Sequence, residues 1–196
     1  MKKNLVTAIL MTIATTILLG IVYPLVVTGF AQVLFPGQAN GQLISRNGHL
    51  IGSRIIGQGF SGPDYFHSRP SAAGNGYDAA NSNGSQLGPT NHKLIERVKD
   101  DVEAAQADDP GKLVPIDLVT ASASGLDPDI TPAAAAFQVA RVAKERNARM
   151  DQVRALVSKH TQGRQFGFLG EPRVNVLELN LDLDQQFPIT SHAKAQ

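Results

Sequence analysis

Asp64, His67 and Ser68 lie close together in Asp64-Tyr65-Phe66-His67-Ser68, and they carry the groups of an orienting carboxylate, a base and a nucleophile. A serine nucleophile needs a sharp strand-to-helix turn to expose its hydroxyl, and the chain has no G-x-S-x-G in that setting. Catalysis is therefore not what these residues point to. Metal ligation has no better support, because histidines 49, 67, 92, 160 and 192 are scattered with no His-x3-His spacing. Cysteine is absent, which removes disulfides and thiolate chemistry. Asp127-Pro128-Asp129 offers two carboxylates to a hard cation, but aspartates ahead of a helix more often serve its positive end. With no G-x-x-x-x-G-K-[ST], the chain is not expected to hydrolyse a nucleotide unaided.

One weaker nucleotide cue remains. Ser82-Asn83-Gly84-Ser85-Gln86 loosely resembles the Ser-Gly-Gly-Gln signature loop with which ABC ATPases touch the ATP γ-phosphate. Backbone N–H groups in such a loop cradle anions. A tight polar turn accounts for the same residues equally well.

The elements that must hold these residues begin with an anchor. No charged side chain occurs between Asn4 and Ser45, and most of Leu5 to Phe35 is apolar. About 20 apolar residues suffice to cross a bilayer core, so a membrane-spanning helix is expected over residues 7–31. A cleavable signal is the rival reading, with Lys2 and Lys3 as its basic end and Gly29-Phe30-Ala31 as a cleavage site. The apolar run is about twice the usual length of such a signal. The next basic residue after Lys3 is Arg46, so the positive-inside rule puts residues 1–6 in the cytoplasm and residues 38–196 outside. That orientation keeps the Ser82–Gln86 loop away from cytoplasmic ATP. Ala8, Thr12, Thr16 and Gly20 recur every four residues, a small-residue face suited to close helix packing in lipid. Pro24 deprives the Gly20 carbonyl of its helical partner, and a kink is expected there.

Beyond the anchor, about 160 residues make one domain of ordinary size. The whole chain has 18 Lys and Arg, two of them Lys2 and Lys3, against 17 Asp and Glu. Such a balance favours neither nucleic acid nor an anionic membrane surface. Tryptophan is absent, which argues against a base-stacking platform.

Along the domain, Asn47-Gly48 between apolar pairs predicts a hairpin within Gln42 to Ile56. Residues 61–92 are rich in Gly, Ser, Asn and Pro and read as a long loop, with Tyr65, Phe66 and Tyr77 arguing for order. A helix is expected from Thr90 or Asn91 to Asp109-Pro110-Gly111, with Leu94, Ile95, Val98, Val102 and Ala105 on one face. A short strand is expected at Pro115 to Thr120. Thr131-Pro132 opens a helix to about Asn147, and Asp151 caps another with Val153, Leu156 and Val157 inward. Leu177, Leu179, Leu181 and Leu183 alternate with polar residues, which favours a half-buried strand, although Val174, Leu177 and Leu181 also fit a helix. The fold class is thus a membrane anchor followed by a single mixed α/β (α+β) domain.

Several ordered blocks carry a resemblance. Tyr23-Pro24-Leu25, Val27-Thr28-Gly29 and Phe35-Pro36-Gly37-Gln38-Ala39-Asn40-Gly41 look like the membrane exit of the C subunit of the Kdp potassium-transporting ATPase. Ile55-Ile56-Gly57-Gln58, Tyr65-Phe66-His67-Ser68-Arg69-Pro70-Ser71 and Gly84-Ser85-Gln86-Leu87-Gly88-Pro89 continue the similarity. It extends through Asp117 to Asp127 and through Gly170 to Asn180. The chain departs from the family at Gln86, where Asn is common, and at Asp129, where His is common.

The resemblance implies a non-catalytic accessory subunit of a high-affinity potassium importer in the bacterial inner membrane. Its implied partners are a channel-like K⁺-binding subunit, a P-type ATPase subunit and a small fourth subunit. The family is needed for assembly and has been assigned a catalytic-chaperone role, raising the ATP affinity of the ATPase subunit. No tightly held cofactor or metal is implied, and ATP enters only as a ligand shared with that subunit. Tyr65, Phe66, His67, Arg69, Asp127, Asn175, Glu178 and Asn180 become candidate interface or loop-anchoring residues. A membrane-anchored periplasmic enzyme or a ligand-binding module is the alternative.

Overall fold

Three side chains decide where helices begin. Asn91 Oδ1 accepts from the Lys93 N–H at 2.9 Å, Thr131 Oγ1 from Ala134 at 3.1 Å, and Asn175 Oδ1 from Glu178 at 3.1 Å. Each satisfies a backbone donor that the first helical turn leaves unpaired. The computed structural model describes residues 1–189. His192, one of the scattered histidines, lies outside them. The chain divides into two compact units, Met1–Ser53 and a second from Arg54 onward.

In the first unit, α1 (Lys2–Ile17), a π-helical turn (Leu18–Val22) and α2 (Tyr23–Leu34) follow one another without a break. Among the described residues this 33-residue stretch is the helix long and apolar enough to cross a membrane. None of its residues is buried. Thr7, Thr12 and Thr15 donate their hydroxyls to carbonyls four residues earlier, at 2.8–2.9 Å, so these three need no outside partner. The disturbance expected at Pro24 takes the form of the π turn. The Tyr23 N–H donates to Leu18 O, and the widened turn makes room for a ring in the first turn of α2. After α3 (Pro36–Ala39), β1 (Leu43–Arg46) and β2 (His49–Ser53) form the expected hairpin. Asn47 and Gly48 have φ of 52° and 80°, the left-handed pair that a two-residue hairpin turn requires.

The second unit packs α5 (Pro132–Glu145), α6 (Met150–His160) and α7 (Val176–Gln186) around a small antiparallel sheet. Its strands are β3 (Asp129–Ile130), β4 (Thr161–Gln162) and β5 (Arg173–Asn175), in the order β3-β5-β4. Ile130 and Thr161 both pair with Val174. Val139, Val142, Val153, Leu156, Val174, Val176, Leu179 and Leu183 form the core, and Phe66 joins it from the long loop. Helix α4 (His92–Asp108) starts at Asn91 as expected but buries no residue.

Three expectations are corrected. The alternating Leu177–Leu183 segment is helical, not a strand; the strand stops at Asn175, whose side chain caps α7. Val176, Leu179, Asn180 and Leu183 turn inward together, a helical period that alternation of leucines conceals. Leucine favours helix, and no β-branched residue follows Val176 there. Instead of a strand at Pro115 to Thr120 there is one 3₁₀ turn, Ile116–Leu118, in which the Leu118 N–H bonds Pro115 O at 3.1 Å. Asp151 lies inside the first turn of α6, and Arg149 occupies the cap, its N–H donating to Gln152 Oε1 at 3.3 Å.

Candidate functional site

The loop at residues 61–92 is held by side chains from α5 and α7. Asn180 on α7, buried with no charged partner, grips Phe66 from both sides: its Oδ1 accepts the Phe66 N–H and its Nδ2 donates to Phe66 O, each at 2.9 Å. Gln138 on α5 does the same for the next residue, accepting from the His67 N–H at 2.7 Å and donating to His67 O at 3.1 Å. Two primary amides thus replace the ladder partners that an extended segment needs once it leaves water.

Two arginines continue the clamp. Arg141 donates to Pro63 O, to Tyr65 O at 3.0 Å and to Gln138 Oε1 at 2.7 Å, and its Nε lies 2.8 Å from an Asp108 carboxylate oxygen. The Arg146 side chain is 0% exposed. It donates to Asp64 O at 2.8 Å and Phe187 O at 3.0 Å, and pairs with Asp184 at 2.8 Å and Asp64 at 3.6 Å. Its guanidinium lies 4.6 Å from the Tyr65 ring centre, and the Tyr65 hydroxyl donates to Asp184 at 3.2 Å. Burial and the Asp184 carboxylate both raise the Tyr65 phenol above its ordinary range.

This geometry accounts for the apparent Asp64–His67–Ser68 trio. Asp64 faces Arg146, and the His67 Nε2–H donates to Gly62 O at 2.9 Å. Burial, reinforced by the Arg141 charge, holds the imidazole below its ordinary range and favours the neutral ring. Asp64 and His67 therefore take part in loop packing.

A second cluster fastens the far end of the loop. Arg69 pairs with Asp127 at 2.9 Å and donates to Thr120 O at 3.2 Å. Ser71 donates to Gly125 O at 2.6 Å while accepting from the Tyr77 N–H at 2.8 Å. Ser122 to Asp127 forms the turn that feeds β3: Leu126 N–H bonds Ser124 Oγ at 3.1 Å and Asp129 N–H bonds Asp127 Oδ1 at 3.1 Å. The Ser82–Gln86 loop lies directly on this turn. Ser82 Oγ and the Asn83 N–H both donate to Ser124 O at 3.0 Å, and Gln86 Nε2 donates to Asn83 Oδ1 at 2.8 Å. A Cβ on Gly84 would sit 2.8 Å from Ala123 O, and one on Gly125 would sit 2.6 Å from Asn83 O. Glycine at both positions lets two backbones touch.

Asn175 and Glu178 form a third group with Arg54. Asn175 Nδ2 donates to Arg54 O at 2.9 Å, and Glu178 pairs with the Arg54 guanidinium at 3.0 Å. Burial raises the Asp129 carboxyl above its ordinary range despite Arg173 at 3.1 Å. Two cavities flank these clusters. One of about 450 Å³ lies between α4 and α5, walled by His67, Asp101, Asp108, Gln138 and Arg141. The other, about 440 Å³, is walled by Arg69, Asp127, Asp129, Thr131 and Arg173. Among the described residues no group of three or more His, Asp or Glu is placed to hold a metal ion.

The candidate interface residues thus fall into three places. Tyr65, Phe66, His67 and Asn180 meet in the clamp, Arg69 and Asp127 at the second cluster, and Asn175 and Glu178 beside Arg54. Ala8, Thr12, Thr16, Gly20 and Pro24 stay on the exposed helix of the first unit, with Thr16 Cγ2 3.9 Å from a Cβ placed on Gly20. Sequence reasoning missed Gln138, Arg141 and Arg146. The signal was present: Gln138 and Arg141 interrupt a stripe otherwise made of Ala134, Ala135, Phe137, Val139 and Val142, and polar residues within an apolar stripe enter the interior with partners.

The family model described as "K+-transporting ATPase, c chain" matches residues 5–185. Three relatives, each called "Potassium-transporting ATPase KdpC subunit", agree. The protein from Koribacter versatilis is 68% identical over 189 residues, covering 96% of this chain and 98% of that one. Its counterpart in Acidobacterium capsulatum is 61% identical over 183 residues, covering 93% and 98%. The Rhodospirillum rubrum protein is 55% identical over 191 residues, covering 96% and 99%. The chain belongs to the KdpC family.

Proposed function

We propose that this chain is a non-catalytic accessory subunit of an ATP-driven, high-affinity potassium importer, required for assembly and for coupling to the ATPase subunit. The observation that carries the reading is the family match over residues 5–185, together with relatives named as subunits of a potassium-transporting ATPase. Lys2–Leu34 spans the bacterial inner membrane once, and Lys2 and Lys3 keep the N-terminus in the cytoplasm. The remaining domain then stands outside and caps the channel-like subunit. The face formed by Ala8, Thr12, Thr16 and Gly20 ties the helix to that subunit.

Coupling to nucleotide is indirect, a shift in the conformational equilibrium of the ATPase subunit. The packing of Ser82–Gln86 against Ser122–Gly125 supports this, because Ser82 Oγ and the Asn83 N–H are already committed to Ser124 O.

The test is a tagged pull-down from cells making all subunits, with K⁺-stimulated ATPase assays with and without this chain. The expected result is co-purification of the channel-like and ATPase subunits, and ATPase activity that depends on this chain. Normal assembly and turnover without it would refute the proposal. Replacing Thr12, Thr16 and Gly20 by Leu is expected to reduce co-purification. Hydrogen exchange at residues 82–86 is expected to be unchanged by ATP in sealed inside-out vesicles; protection there would overturn indirect coupling.

A further inference from the structure

Helix α4 stands apart from the other long helices of its unit. Helices α5, α6 and α7 each bury side chains in the core, whereas α4 buries none. Leu94, Val98, Val102 and Ala105 are only half-buried, and Ile95 is 52% exposed. The cavity of about 450 Å³ lies between this helix and α5, lined by Asp101, Ala105 and Asp108 from the one and by Phe137 and Arg141 from the other. The charges of α4 also run against its own dipole. No acidic residue occupies the first turn and no basic one the last, where Asp108 is followed by Asp109 at the cap. Carboxylates at that negative end weaken a helix.

Tertiary contacts offset the weakness. The first half of α4 is fixed by the Asn91 cap and by Arg97, which pairs with Asp101 at 2.7 Å and donates to Val119 O at 3.3 Å. The second half is tied to α5 by Asp108, whose carboxylate lies 2.8 Å from Arg141 Nε. Beyond it the chain runs into solvent, with Leu113 94% exposed.

We propose that the second half of α4 is a latched strap over this cavity, with the Asp108–Arg141 pair as its latch, and that it opens while α5, α6, α7 and the clamped loop stay folded. Elements with few buried apolar contacts are the ones that open locally. Solvent reaches the latch from one side only, the Asp108 side chain being 42% exposed and that of Arg141 8%. Release therefore frees the carboxylate and leaves the guanidinium in place, still bonded to Pro63 O, Tyr65 O and Gln138 Oε1. Arg97, held to Val119 O, marks the fixed end of the strap. Opening uncovers Phe137 and the Arg141 Nε. This device is a property of the chain by itself and stands whether or not the subunit reading does.

The test is hydrogen exchange on the full chain in detergent, comparing wild type with Asp108→Asn. The substitution acts in opposite directions under two accounts. Were Asp108 only a misplaced charge at the helix end, its removal would slow exchange about twofold. As the latch, its loss is expected to speed exchange of the amides at residues 101–108 at least about threefold. The Phe66 and His67 amides, held by Asn180 and Gln138, are expected to change by less than about twofold, as befits a local opening. Slower exchange at residues 101–108, or a rise short of threefold, would overturn the strap. An equal rise at Phe66 and His67 would overturn it too, because the whole unit would then have lost stability together.

Discussion

Helix Lys2–Leu34 and the loop at residues 61–92 are ordered for opposite reasons. The helix satisfies its own backbone, turn by turn, and draws on no buried side chain. The loop has no regular secondary structure, and it is fixed by Asn180, Gln138, Arg141 and Arg146, which come from helices far along the chain. Local backbone bonding makes the first region independent of the rest of the fold. Borrowed donors and acceptors make the second collapse when one lender is removed.

The sharpest way to break the contrast is at Arg146. Arg146→Met should destabilise the second unit by about 3 kcal/mol, because Asp64, Asp184 and two carbonyls lose a buried cation. Chemical denaturation of the full chain in detergent measures it. Asn180→Leu should cost about 2 kcal/mol by leaving the Phe66 peptide unpaired in the core. Hydrogen exchange should rise across 61–92 and hardly at all in Lys2–Leu34. Combining Asn180→Leu with Gln138→Met should cost less than the two separately, since both hold adjacent residues of one segment.

Acid should loosen the second unit in two steps. His67 is held below 6.5, so its contribution is complete above that pH and is lost as pH falls below it. Burial works against ionisation of Asp182, but hydrogen bonds from Lys159, His160 and Gln186 outweigh it and lower the carboxyl to about 2. That contribution is present above the ordinary value of 3.8 and is lost as pH falls towards 2. Melting temperatures across pH should show His67→Gln flattening the first step and Asp182→Asn the second. The smallest effect belongs to the other region. Replacing Thr12, Thr16 and Gly20 by Leu should leave the stability of the second unit within about 0.5 kcal/mol, whatever it does to partner binding.

Much of this was legible. The apolar run, the Asn47-Gly48 turn and the Thr131 and Asn91 caps are local signals, and each element formed where its signal lay. Leu177–Leu183 misled because alternating leucines satisfy two periods, and only contact with α6 and β5 selects the helical one. Asn180 was legible as a candidate, but its role as a clamp was not. Phe66 lies 114 positions earlier, and nothing in either segment announces the other.

The amino-acid order by itself determined the membrane-length helix, the hairpin, the helix starts at Asn91 and Thr131 and the family, because propensity, capping and apolar runs act between near neighbours. Tertiary structure alone decided what fastens the Gly- and Pro-rich segment, that Asp64 and His67 serve packing, and that Phe166 and Phe168 stand in solvent. Those outcomes depend on which distant donor or acceptor reaches a group once water is excluded, and that is set by packing.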